Sequence, residues 1–234
     1  RSFLQLFPDY ACITAMDADH LDIYGDHKNM KNAFDQFSKR VKHKVVVAKD
    51  LDEEACCYAL EDQANYRAEA IRVDGQGYRF DLVCPTQTHK NIYLRAMGRH
   101  NLSNAIGALA ILDIGGFPLE KVLPALSTFR GIKRRMEVFS LKNKIVIDDY
   151  AHHPREIDAV LKTISEFYPD KTNMVVFQPH LFSRTKDFMT EFVDVLSRFD
   201  EIVLMDIYPA REQPIVGVNS DVLLELIKHN NKRK

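Results

Sequence analysis

Residues 148–154 read Asp148-Asp149-Tyr150-Ala151-His152-His153-Pro154, which gathers two carboxylates, a phenol and two imidazoles in one short stretch. Such a group can pair with a cation, fix an imidazole tautomer or carry a proton. Asp149 and His152 could converge on one ligand, while the neighbouring rings of His152 and His153 are expected to point apart. Pro154 suits the first position of a helix. The competing reading is therefore that one histidine and one aspartate merely cap that helix. A second stretch, Gln178-Pro179-His180-Leu181-Phe182-Ser183-Arg184-Thr185, carries a guanidinium able to grip a carboxylate or phosphate through two parallel bonds. His180 would reach the same place. The alternative is a surface arginine with Ser183 as an N-cap.

Three weaker groups accompany these. Arg134 and Arg135 follow Phe129-x-Gly131 and could clamp a phosphate, although paired arginines are commonly just solvated. In Gly98-Arg99-His100-Asn101-Leu102-Ser103-Asn104 the amides of Asn101 and Asn104 stand at i and i+3, on one helix face. An amide offers the donor and acceptor that read an adenine edge; Asn101 as a plain N-cap competes. His20, in Asp17-Ala18-Asp19-His20-Leu21-Asp22, is a lone imidazole among carboxylates and could bind a divalent cation. Magnesium, however, usually prefers oxygen ligands.

These groups fall where elements end. The pattern predicts a strand over 10–14, a helix near 30–41, a strand over 44–48, and antiparallel strands between 66 and 95 around Asp74-Gly75-Gln76-Gly77. A helix over 101–114 should stop at Gly115-Gly116, where glycine can take a left-handed cap. A second helix is expected over 119–128. Beyond it strands at 144–147, 174–177 and 202–205 alternate with helices at 154–167, 186–199 and 221–228, the signature of a parallel sheet covered by helices. The change of texture at 129–131 predicts two domains, 1–130 and 131–234. Polar clusters 17–20, 148–153, 178–184 and 206–212 all follow strands, where loops present side chains from a rigid sheet.

Composition narrows the function classes. The chain has 234 residues, 32 Lys+Arg against 33 Asp+Glu, and is 46% hydrophobic. That balance gives no field to attract nucleic acid or anionic lipid. The longest apolar run, residues 105–112, falls far short of the ~20 residues of a membrane span, so no membrane insertion is expected. Cys12, Cys56, Cys57 and Cys84 lack CxxC spacing and read as reduced thiols of a cytoplasmic protein. The amino terminus lacks the features of a secretory signal, and the chain reads as cut from a longer one.

Taken together, the motifs resemble the ATP-dependent Mur ligases of bacterial cell-wall synthesis. The matching elements are Asp19-His20-Leu21-Asp22, Gly98-Arg99-His100-Asn101-x-x-Asn104-Ala105, Phe129-x-Gly131-x-x-Arg134-Arg135, Asp148-Asp149-Tyr150-Ala151-His152-His153-Pro154 and Phe177-Gln178-Pro179-His180-x-x-Ser183-Arg184-Thr185. The last element is similar to that of the members adding L-alanine. The resemblance implies an α/β fold: part of an ATP-binding central domain, then a truncated Rossmann-like parallel domain that binds the amino acid. It implies ligation of L-alanine to UDP-N-acetylmuramate through an acyl phosphate, with ATP and magnesium. It also implies that His20 holds the metal, that His100, Asn101 and Asn104 contact adenine, and that Arg134 and Asp149 touch the nucleotide. Tyr150, His152, His180 and Arg184 would surround the amino acid, with His152, Arg184 and Arg134 catalytic. Closure of the domains would bring the two sets together.

The chain departs from the family pattern at Leu181, where many members carry arginine, and at Ala151, where many carry glycine. The first change leaves Arg184 as the better holder of the amino-acid carboxylate. No G-x-x-x-x-G-K-[ST] loop occurs in the sequence, so the 234 residues alone are expected to be inactive. An open sheet edge would invite association with a second copy. Two other classes remain open at this point: a metal-dependent hydrolase built on Asp148, Asp149, His152 and His180, and a non-catalytic interaction module.

Overall fold

A computed structural model describes residues 2–16, 27–52 and 55–231 of the chain. It divides into two compact units, Arg1–Arg130 and Gly131–Lys234.

The first unit is built on a six-stranded sheet with strands in sequence order: β1 (Tyr10–Ile13), β2 (Lys44–Ala48), β3 (Cys57–Leu60), β4 (Tyr66–Asp74), β5 (Gly77–Val83) and β6 (Thr88–Leu94). The first three pairings are parallel and the last two antiparallel. Helix α1 (His27–Ser38) supplies the crossover between β1 and β2. The short strand β3, absent from the sequence reading, extends the parallel part by one. Two residues, Gly75 at φ 58° and Gln76, turn β4 into β5. Gly77 follows because β6 passes too close for a side chain: a Cβ there would lie 2.0 Å from the Leu94 carbonyl oxygen.

Helix α2 (Arg99–Ile114) packs on the sheet through Leu102, Ile106 and Leu109, all essentially buried. The close approach needs Gly107, whose added Cβ would meet Cys12 and Tyr58 at 3.0 Å. The helix ends as the glycine pair predicts, and it is the second glycine that takes the left-handed conformation, at φ 79°. Phe117 N–H then donates to Leu112 and Gly116 N–H to Asp113, which satisfies the last carbonyls. Helix α3 (Leu119–Thr128) closes the unit.

The second unit corrects two expectations. The strand at 144–147 is β8 (Lys144–Asp148), and it pairs antiparallel with β7 (Glu137–Leu141) as a hairpin. Among the described residues β8 has no parallel partner. Lys142-Asn143 makes the turn, with Lys142 at φ 53°. The parallel pair is β9 (Met174–Phe177) with β10 (Glu201–Leu204). Helix α4 (Pro154–Phe167) has the predicted bounds. The predicted helix at 186–199 is instead two: α5 (Phe182–Asp187) and α6 (Met189–Leu196), broken at Phe188 (φ −112°, ψ 24°). Helix α7 (Ser220–Asn231) follows β10. Phe177, Phe192, Leu196, Leu223 and Ile227 join Ile157 and Leu161 in a core that fixes α4, α6 and α7 against one face of β9 and β10. No helix among the described residues is long and apolar enough to cross a membrane.

Candidate functional site

The loop after β8 is tied down by Asp149. Its carboxylate accepts from the N–H groups of Met136 and Ala151, both at 2.8 Å. Tyr150 N–H donates to the Arg134 carbonyl at 2.9 Å. Arg134 itself sits at φ 58°, a conformation that costs a non-glycine residue about 1 kcal/mol or more. The segment tolerates this because its neighbours fix it on both sides, Arg134 N–H also donating to Glu137 at 3.1 Å. The Arg134 guanidinium carbon then lies 4.6 Å from the centre of the Tyr150 ring, a cation–π contact.

From Tyr150 a file of rings crosses the strand ends. The Tyr150 ring stands edge-on to His152 at 5.5 Å, His152 is 6.3 Å from His180, and His180 stacks on Tyr208 at 5.4 Å. His152 Nδ1 lies 3.0 Å from the Tyr150 carbonyl and 3.3 Å from a Glu156 carboxylate oxygen. Two acceptors on that side assign the proton to Nδ1 and leave the Nε2 lone pair available in the neutral ring. His153 turns the other way: its ring packs on Phe188 at 4.5 Å, and its Nδ1 accepts from Arg155 N–H. Glu156 completes a capping box by accepting from the N–H groups of His152 and His153. The capping alternative thus describes His153, while His152 faces the ring file.

The charged form of His180 is disfavoured. Burial, and then the charge of Arg184 and the neighbouring His152, push its pKa below the ordinary histidine value, with Glu212 acting weakly the other way. Its Nδ1 is buried and has no hydrogen-bond partner among the described residues. Arg184 is half-buried on α5. Ser183 is not the N-cap; that position is Leu181, at φ 73°. Ser183 instead gives its backbone N–H (2.9 Å) and its hydroxyl to the Glu212 carboxylate, which these bonds hold below the usual carboxylate range. Arg135 approaches Glu156 only loosely, at 3.9 Å.

The second unit therefore assembles Arg134, Tyr150, His152 and His180 into one file, with the charge of Arg184, four residues on, acting on His180. Asp149 is consumed in holding backbone. Tyr208, Glu156 and Glu212 were not singled out from the sequence; only the position of cluster 206–212 after a strand pointed to two of them.

In the first unit His100, Asn101 and Asn104 lie on the first turns of α2. The N-cap is Gly98, at φ 93°, so Asn101 does not cap the helix; its amide nitrogen donates to the Met97 carbonyl at 2.7 Å. His100 and Asn104 are exposed. His20 lies outside the described residues. No group of three or more histidine, cysteine, aspartate or glutamate side chains among the described residues is arranged to hold a metal ion, so Asp148, Asp149, His152 and His180 do not form one.

Two family models match: the Mur ligase middle domain over residues 2–112, and the glutamate ligase domain of Mur ligases over residues 134–233. The chain is 48% identical over its whole length to a UDP-N-acetylmuramate–L-alanine ligase of Flavobacterium psychrophilum, covering 53% of that protein. A ligase of the same name from Christiangramia forsetii is 46% identical over 99% of this chain and 52% of its own length. The chain spans about half the length of the relatives it matches. Among solved structures, the UDP-N-acetylmuramate-alanine ligase of Thermotoga maritima superposes with a TM-score of 0.79 at 26% identity, over 97% of this chain and 50% of that one. A MurF ligase of Thermotoga maritima in complex with ADP shares the fold, with a TM-score of 0.71 at 16% identity over 85% of this chain and 48% of that one. An α/β chain matched end to end in this way belongs to the Mur ligase family and carries residues of its middle and carboxyl-terminal domains.

Proposed function

We propose that this chain is part of an ATP-dependent, ADP-forming ligase that joins L-alanine to UDP-N-acetylmuramate in the cytoplasm during peptidoglycan synthesis. Residues 1–130 would then be the later part of the ATP-binding domain, and residues 131–234 the first part of the amino-acid-binding domain. The observation supporting this most directly is the file Tyr150–His152–His180 at the ends of β8 and β9, within reach of the charge of Arg184 on α5. A cation, two imidazoles and a phenol at strand ends suit a small zwitterion.

In the proposed reaction the sugar carboxylate is first phosphorylated to an acyl phosphate. The L-alanine nitrogen then attacks the carbonyl carbon, a C–N bond forms, the C–O bond to phosphate breaks, phosphate leaves and the amine loses a proton. Arg184 holds the alanine carboxylate. In this reading the Nε2 lone pair of His152 takes the proton, and the ring of His180 lines the same end. Arg134 faces the charge that grows on phosphate, the kind of stabilisation that supplies most of such a barrier reduction. ATP would supply the phosphoryl group, and magnesium, assigned by resemblance to His20, would offset its charge when bound. For the adenine, His100 and Asn104 remain exposed and Asn101 keeps its amide oxygen.

The test uses the full-length protein: phosphate release that requires ATP, UDP-N-acetylmuramate and L-alanine together. Release without L-alanine, or equal use of glycine, L-serine and L-alanine, would defeat the assignment. The 234 residues alone should give no turnover.

A further inference from the structure

The ring of His180 is braced by a residue that carries no part of the ligation as proposed. Tyr208 stacks on it at 5.4 Å with an interplanar angle of 27°. The two residues form a parallel bridge, Tyr208 N–H donating to the Pro179 carbonyl at 2.8 Å and Leu181 N–H to the Tyr208 carbonyl at 2.9 Å. Further back, Met205 N–H donates to the Phe177 carbonyl and the Gln178 amide to the Asp206 carbonyl. Segment 205–208 thus runs as a backbone extension of β10 beside the loop after β9.

We propose that Tyr208 is a positioning residue: its ring sets the plane of His180 and, together with His152, shields the imidazole from water. The orientation matters because an imidazole bonds a ligand through ring nitrogens whose N–H and lone pair lie in the plane of the ring. Its Nδ1 edge is buried, so a rotated ring would present different chemistry. The groups facing it are His152 from the loop after β8, Arg184 from α5, Glu212 from the loop after β10, and Tyr208 itself. Two of these are cations or potential cations, which a neutral ring accepts and a charged ring would not. Tyr208 is about half exposed, so its loss should leave the core intact. The consequence for amino-acid use rests on the ligase reading; the effect on the ring does not.

Two measurements separate these on the full-length protein. The first follows the His180 imidazole by NMR through a pH titration, its signal identified with His180→Gln. Tyr208→Leu should raise the midpoint by about 0.5 pH or more as the ring is rehydrated, while Tyr208→Phe, which keeps the stack, should titrate like the parent. The second is steady-state kinetics: Tyr208→Leu should raise the KM for L-alanine about 3- to 10-fold, the size of an aromatic stacking contact, with kcat changed less and Tyr208→Phe restoring the parent value. A Tyr208→Leu midpoint equal to the parent's overturns the proposal. A shifted midpoint in a protein that never uses L-alanine upholds the brace and removes the ligase reading.

Discussion

The Asp149 carboxylate and the Met136 backbone N–H are joined at 2.8 Å, and through this bond the end of β8 holds the loop that carries Arg134. The second oxygen accepts from Ala151 N–H at the same distance, so both oxygens are committed to backbone. Met136, like Arg134, is at positive φ (49° and 58°), and Asp149 offsets that cost.

Asp149→Ala should therefore act on stability as well as activity. Two part-buried N–H groups lose their acceptor, at about 1–3 kcal/mol each if water does not replace it. Thermal unfolding should show a clear drop in Tm, with Asp149→Asn between parent and alanine because one carbonyl oxygen remains. An unchanged Tm for the alanine variant would mean that Asp149 serves a ligand alone.

Arg184→Ala should weaken use of L-alanine by about 1.5–3 kcal/mol, the worth of a hydrogen bond to a charged group. In kinetics on the full-length protein this reads as a loss of about 10- to 150-fold in kcat/KM. Identical kinetics would take the guanidinium out of the site.

Glu212 links pH to the same loop. Its carboxyl is held below the ordinary value first by the Ser183 hydroxyl and then by the Ser183 N–H. A depressed native pKa contributes stability that is complete above the unfolded value, about 4.3, and is lost as pH falls through the native value. The Tm difference between parent and Glu212→Gln should be largest near pH 7 and shrink below about pH 4. A difference independent of pH would show that the contribution is packing and not charge.

Gly77→Ala should damage the first unit's sheet. The new methyl would sit 2.0 Å from a backbone oxygen of Leu94, which cannot swing away as a side chain end can. Overpacking of this kind costs about 1–3 kcal/mol, and more where backbone must move. Denaturant titration should show a lower midpoint, whereas Gly75→Ala, two residues earlier, meets only Tyr93 Oη at 3.9 Å and is disfavoured chiefly by its φ.

Where the sequence carried a local signal, the elements followed it. Pro154 at N1 with Glu156 two residues on marks the start of α4, and the run Met174–Phe177 is flanked by turn-forming residues. Pairing partners were harder, because alternation of strands and helices says nothing about which neighbour a strand takes. The hairpin of β7 with β8 depends on Lys142 accepting positive φ, for which lysine gives no warning. The break at Phe188 has no proline or glycine to announce it, only the turn of Phe188 toward His153. Within the site, Tyr150, His152, His180 and Arg184 stood out because their chemistry is distinctive. Tyr208 and Glu212 did not, since a brace is recognisable only once the partner across the strand is known.

The brace between Pro179, Leu181 and Tyr208 is made by peptide groups, which every residue but proline supplies alike. The path of the loop after β9 is therefore set by main chain, and leucine or arginine, which bear a similar cost for that positive φ, can occupy the corner without redirecting it. Mutational drift can rewrite the chemistry there while the geometry of His180 and Arg184 persists, with proline as the one replacement that cuts the tie outright.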